Sequence, residues 1–179
     1  LHHNEKIYIF TTMTILSKLI RQLVEQVITE TELPVKQKVS ISIPEDIREL
    51  TQIFVSNGFK LYVVGGAVRD ALLGKEPKDW DVATDAQPDQ ILQMFQGRQG
   101  YKTLEIGKSF GIINVISPSG EEFEIATFRK DIGAGRRPDS VEFTDIATDV
   151  MRRDLTINAL FYDLETGVVV DYVGGIEDL

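Results

Sequence analysis

Cysteine is absent from the 179-residue chain. That removes disulfides, thiolate zinc sites and thiol nucleophiles from consideration, and it accords with a reducing, cytoplasmic setting. The only histidines, His2 and His3, are adjacent at the chain start, where they read as a tag remnant and make a poor metal site without further ligands. No apolar run approaches the roughly 18 residues a membrane-spanning helix needs, so a membrane span is excluded and no membrane partner is expected. A basic excess is missing as well. The formal net charge is −9, which argues against a generic nucleic-acid coat with its basic stripe, but not against a nucleic-acid enzyme, where local charge matters more. Internal repeats and low-complexity segments are also lacking. What remains is ordinary globular material: 42% hydrophobic and 26% charged residues, in a chain long enough for one domain with its own core.

The apolar residues from Ile15 to Ile28 recur at helical spacing, predicting a helix over about 14–30 with one face to be covered. Residues 33–43 read as a linker or loose strand, so the expected boundary divides an N-terminal extension, 1–43, from a domain over 44–179. Within the domain, Pro44 with Glu45 and Asp46 opens a helix whose buried stripe is Ile47, Leu50, Ile53 and Phe54, and Asn57-Gly58 closes it. A strand over 60–64, a short helix over about 66–73 and a further strand bearing Asp79 and Asp81 follow. Pro88 starts another helix. Beyond Gly100 the runs 102–106, 112–117 and 121–129 read as strands separated by turns. Helical spacing returns over 145–160, and a hairpin pairs 160–164 with 168–172. The expected layout is a mixed or mainly antiparallel sheet with flanking helices.

Residues Leu61–Thr84, LYVVGGAVRDALLGKEPKDWDVAT, hold the most chemistry. Asp79 and Asp81 stand at i and i+2, so in an extended strand both carboxylates converge on one side, where a hard cation such as Mg²⁺ takes oxygen ligands alongside phosphates. Two exposed aspartates are also ordinary solvated surface, and the pair alone does not choose. Gly65-Gly66 after a strand offers unobstructed backbone N–H groups to a phosphate, although GGAVRD does not match GxGxxG. Gly107-Lys108-Ser109 resembles the tail of a P-loop, but Lys102 stands where the loop needs glycine. Downstream, Arg152-Arg153-Asp154-Leu155-Thr156-Ile157-Asn158 places Asp154 and Asn158 four apart, on one face of the expected helix; they would read a ribose hydroxyl or cap a neighbouring element. Arg129, Lys130, Arg136, Arg137, Arg152 and Arg153 concentrate cationic charge in the same region.

GGAVRDALLG, DWDVAT, EIATFRKD, RRPDSVEF, RRDLTINAL and YVGGIEDL together resemble, in order, the motifs of class II tRNA nucleotidyltransferases (CCA-adding enzymes) and bacterial poly(A) polymerases, over roughly 61–179. The resemblance implies an α+β, polymerase-β-like nucleotidyltransferase head domain. It implies Asp79 and Asp81 as ligands of catalytic Mg²⁺ in two-metal catalysis, with Glu124 as a third carboxylate and Glu122 on the same face. Gly65, Gly66, Arg69 and Arg153 would contact the triphosphate, with Arg152 beside them, and Asp154 and Asn158 would face the ribose. The implied reaction is template-independent transfer from ATP or CTP to an RNA 3′-hydroxyl, as CCA or partial CCA addition to tRNA. Poly(A) addition is the alternative, and a non-catalytic nucleotide-binding module the rival from another class. Residues 131–138 are shorter than the family's usual loop and lack its common aromatic residue. The neck, body and tail of the family are expected to lie outside these 179 residues. No pattern speaks to oligomeric state.

Overall fold

The computed structural model describes residues 34–133 and 138–179. The helix expected over 14–30, and Arg136 and Arg137, lie outside the described residues. Pro34–Leu179 forms one compact unit. An eight-stranded sheet runs through it in the order β1-β10-β9-β2-β3-β6-β5-β4, beside a separate two-stranded ribbon, β7-β8. The strands are β1 (Val35–Lys38), β2 (Leu61–Val64), β3 (Asp81–Thr84), β4 (Lys102–Leu104), β5 (Ile112–Ile116), β6 (Glu122–Thr127), β7 (Arg129–Ile132), β8 (Ser140–Phe143), β9 (Leu160–Asp163) and β10 (Val168–Asp171). Helices are α1 (Glu45–Ser56), α2 (Gly66–Leu72), α3 (Pro88–Phe95) and α4 (Ile146–Val150), with single 3-10 turns at Lys108–Phe110 and Thr156–Asn158. The β3–β6 pair is parallel and the other described pairs are antiparallel, so the sheet is mixed as expected.

Both faces of the sheet are covered, by different cores. On one face Ile47, Leu50 and Phe54 of α1, Val68 of α2 and Ile91 of α3 pack on Val63, Val82, Ile113 and Ile125. The apolar stripe of α1 is the one its 3.6-residue spacing predicts, with the acidic pair Glu45 and Asp46 in the first turn. The other face carries a smaller cluster of Tyr62, Val64, Ala83, Phe128 and Phe161, closed by Val150 of α4. Its three aromatic rings sit 5.9–6.1 Å apart in tilted and edge-on pairs, a favoured arrangement of ring quadrupoles.

Three elements differ from the sequence reading. Residues 34–43 belong to the compact unit, because β1 pairs along β10 and Ile41 and Ile43 enter the core; the boundary expected at residue 44 moves upstream. The strand expected over 121–129 breaks at Phe128, which buries its ring in the smaller core and donates its N–H to Thr84 O, so the chain leaves the large sheet and Arg129 begins the ribbon. The helix expected over 145–160 stops after Val150: Leu155 is extended (φ −128, ψ 135), and the chain closes around the Asp149 side chain instead of adding turns.

The closing turn of the unit is packed without room to spare. A methyl added at Gly175 would overlap Thr156 O and come within 2.8 Å of the Thr156 carbonyl carbon, a collision with backbone that no rotamer relieves. Gly175→Ala is therefore expected to cost about 1–3 kcal/mol and to lower the midpoint by several degrees in a thermal melt. Gly175 is not at positive φ, so the clash alone carries that cost; Gly120→Ala, where φ is +95 and a methyl meets nothing within 4 Å, shows the contrasting cost of backbone strain without a clash.

Candidate active site

The site is assembled by strand register. In β2–β3, Val64 faces Asp81, and in β2–β9 it faces Phe161. The parallel β3–β6 pair begins with Val82 opposite Ile125, so Glu124 lies beside Asp81 one residue upstream. Val82 and Ile125 pack into the larger core; strand alternation then turns Asp81 and Glu124 to the opposite face. There, Lys78, Asp79, Trp80, Asp81, Asn114, Glu122 and Glu124 are among the residues around a cleft of about 300 Å³. Clefts of about 390 and 440 Å³ elsewhere on the unit contain no such gathering of carboxylates; chemistry, not size, selects this one.

Asp79 lies outside the strand expected to carry it: β3 starts at Asp81, and Asp79 belongs to the connection from α2. The two carboxylates are nevertheless close enough to feel each other. Burial first, and then the charge of Asp79, raise the Asp81 carboxyl above the ordinary aspartate value, with Arg153 opposing them. Trp80 between them packs on the larger core, as alternation predicts. Glu122 accepts a hydrogen bond from Asn114 Nδ2 at 2.6 Å. Glu124 lines the cleft, yet among the described residues no three carboxylate or histidine side chains gather closely enough to share one metal ion. The carboxylates that line the cleft with Asp81 are those of Asp79, Glu121, Glu122 and Glu124.

Gly65 and Gly66 form the turn that leads out of β2 into α2. Gly65 has φ +71, a left-handed conformation that glycine adopts without strain, and its N–H is tied to Leu160 O at 3.3 Å. No side chain caps the start of α2, leaving its first N–H groups for an outside acceptor. A methyl on Gly66 would meet only the Arg69 guanidinium, with Nη2 nearest at 3.5 Å. Packing within the protein thus makes no demand for glycine there. Behind the turn, Arg69 bonds Asp70 Oδ1 through Nε at 2.9 Å and Nη2 at 2.8 Å, and Asn158 Oδ1 through Nη1 at 2.7 Å. The turn, Arg69 and Asn158 are one hydrogen-bonded unit.

Arg153 lies with its guanidinium carbon 4.8 Å from the centre of the Phe161 ring. Phe161 is two strands from Asp81 in the same register, about 10 Å across the sheet. Burial pulls the Arg153 pKa down, and the Asp149 carboxylate works against that. Arg152 turns aside: it pairs with Asp149 at 2.8 Å and approaches Asp131 of β7 at 3.9 Å. Asp154 is exposed in a bend, not on a helix, and so does not share a helical face with Asn158. Asp149 itself escaped the sequence reading, although its spacing of three and four residues from Arg152 and Arg153 is the local ion-pair pattern that marks it.

Over residues 61–179 the chain matches the family model described as the poly A polymerase head domain. It is 44% identical over 126 residues to the CCA-adding enzyme of Bacillus pumilus, covering 69% of this chain and 30% of that protein. The crystal structure of the Bacillus stearothermophilus CCA-adding enzyme in complex with CTP superposes with a TM-score of 0.63 at 34% identity, over 74% of this chain and 30% of that one. A tRNA nucleotidyltransferase complexed with a primer tRNA and an incoming ATP analog gives 0.54 at 33% identity, over 72% and 36%. The chain spans about a third of the length of these proteins. The α+β, polymerase-β-like fold expected from the motifs is the fold observed. With its Gly-Gly turn, carboxylate pair and arginines held in that fold, the chain belongs to the poly A polymerase head domain family.

Proposed function

We propose that this chain carries the catalytic head of an RNA nucleotidyltransferase that adds nucleotides from CTP and ATP to the 3′-hydroxyl of tRNA, as CCA or partial CCA addition. One observation carries the reading: Asp79, Asp81, Glu122 and Glu124 line one cleft, and the same sheet register sets Val64, which leads into the Gly65–Gly66 turn, between Asp81 and Phe161, the ring beneath Arg153. The relatives bearing CTP, an ATP analog and tRNA support the choice of substrates. Poly(A) addition is the second reading, favoured by the description of the matched family; CTP incorporation by the full-length protein separates the two. A non-catalytic binding module would bind CTP or ATP and extend nothing. A chain without cysteine accords with work in the cytoplasm.

In this reading the RNA 3′-hydroxyl oxygen attacks the α-phosphorus and pyrophosphate leaves. The free N–H groups at the start of α2 would bind triphosphate oxygens, with the Gly65–Gly66 turn held in shape by the Arg69–Asn158 bond. The spare donors of Arg69 and Arg153 would meet the same oxygens as guanidinium forks. Arg152 would add charge from further back, and exposed Asp154 would accept from a ribose 2′-hydroxyl beside Asn158. Glu124 would add a further carboxylate at the cleft wall. An all-oxygen pair of carboxylates, completed by substrate phosphates and water, fits Mg²⁺, and Asp79 and Asp81 would hold it. When bound, the ion would supply Lewis-acid stabilisation of charge at the reacting phosphate.

Asp79→Ala and Asp81→Ala in the full-length protein are each expected to reduce incorporation into tRNA by about three orders of magnitude, several kcal/mol of transition-state stabilisation. Extension at the wild-type rate by both variants would refute the reading. A second expectation concerns pH. Asp81 holds its proton more tightly in the fold than free aspartate does, so the unfolded chain ionises first. As pH rises through that interval, the metal-free fold loses stability. Asp79→Asn removes one cause, lowering the Asp81 pKa in a carboxyl NMR titration and shrinking that loss. Thermal stabilisation by Mg²⁺ should be present at pH 7 and fade as pH falls, beginning above the ordinary aspartate range.

A further inference from the structure

Asp149, beside the Arg152–Arg153 pair, is a buried acidic side chain, 1% exposed. Such a group stays charged only when its oxygens are fully engaged. Oδ1 accepts from the backbone N–H of Arg129 at 3.0 Å and from Nε of Arg152 at 2.9 Å, with Nη2 of Arg152 at 2.8 Å. Oδ2 accepts from Nη2 of Arg153 at 3.0 Å and from Nε at 3.3 Å. One carboxylate therefore gathers two guanidinium groups and the first residue of the β7–β8 ribbon. Both arginines are held by one edge of the fork. Nη1 of Arg153 has no partner among the described residues, Nη1 of Arg152 lies 3.9 Å from Asp131, and both long side chains are already immobilised.

Resting on the nucleotide reading above, we infer that Asp149 is a positioning residue for nucleotide binding. Its carboxylate fixes Arg153 over Phe161, and Arg152 beside the ribbon, before the triphosphate arrives. The physical case is pre-organisation. A free arginine loses rotamer freedom on meeting a phosphate, and two adjacent guanidinium groups repel each other; a shared buried anion removes both costs in advance. Because Asp149 also holds the N–H of Arg129, the same carboxylate ties the start of β7 to the nucleotide site. Asp149 touches none of the reacting groups. Its effect passes through Arg153 and Arg152.

The test is CTP binding by titration calorimetry in the full-length protein, using wild type, Asp149→Asn, Arg153→Gln and the double variant. Asp149→Asn keeps the size of the side chain and one acceptor for Arg129 but loses the charge. CTP affinity is expected to fall about tenfold. In the double variant, adding Asp149→Asn to Arg153→Gln should cost less than about twofold more, because neighbouring groups acting through one contact are not additive. Affinity within twofold of wild type in folded Asp149→Asn, or fully additive losses in the double variant, would overturn the inference. A wild-type measurement covers the case in which Asp149→Asn fails to fold. The Nε–H signals of Arg152 and Arg153 should be sharp without nucleotide and shift when CTP is added, and signals unmoved by CTP would overturn it. Failure here alongside lost incorporation in Asp79→Ala condemns only the role of Asp149; retained incorporation in Asp79→Ala condemns the nucleotide reading.

Discussion

The backbone register of β2 against its two neighbours is the constraint on which the site depends. Val64 is flanked by Phe161 on one side and Asp81 on the other. Side chains alternate along a strand, so a slip of one residue in β3 would turn Asp81 into the larger core and expose Val82. Val82 is 1% exposed in a cluster with Val63 and Ile125. The hydrophobic effect on one face of the sheet thus fixes the position of charge on the other. Nothing in the cleft has to stabilise its own geometry, which leaves two neighbouring aspartates free to repel each other.

Much of this was legible in the sequence, for identifiable reasons. The stripe of α1, the Gly-Gly turn and the hairpin of β9 and β10 each carry a local signal strong enough to survive folding. The strand β1 does not: Val35–Lys38 is exposed at all four positions, so no apolar alternation announces it, and its pairing is supplied by β10. The helix expected over 145–160 misled in the opposite way. Met151 and Leu155 have helical spacing, yet they are 74% and 55% exposed; their apolar character does not mark a buried face.

The site residues divide along similar lines. Motif order brought Gly65, Gly66, Arg69, Asp79, Asp81, Glu124, Arg153, Asp154 and Asn158 to attention; Asp79, Asp81 and Glu124 line one cleft, and the same register sets the strand before the Gly-Gly turn between Asp81 and Phe161, beneath Arg153. What the sequence did not disclose is how the polar groups are shared. Arg69 is engaged by Asp70 and Asn158, and Arg152 by Asp149 and Asp131. Such sharing depends on contacts between distant segments, and a linear motif does not encode it. Asp149 is the opposite case, a local ion-pair spacing whose importance appears only once burial is known.

The parallel pairing of β3 with β6 also bears on how the cleft comes into being. Parallel neighbours need a crossover, and here it consists of α3, β4 and β5. Bringing Asp81 and Glu124 together therefore closes a loop through that whole intervening segment, a non-local contact that carries a loop-closure cost. The antiparallel hairpin of β5 and β6 can form beforehand without creating any cleft. The Gly-Gly turn and the aspartates are local features of the chain, but the wall that faces them is not, so the gathering of carboxylates depends on this one long-range pairing.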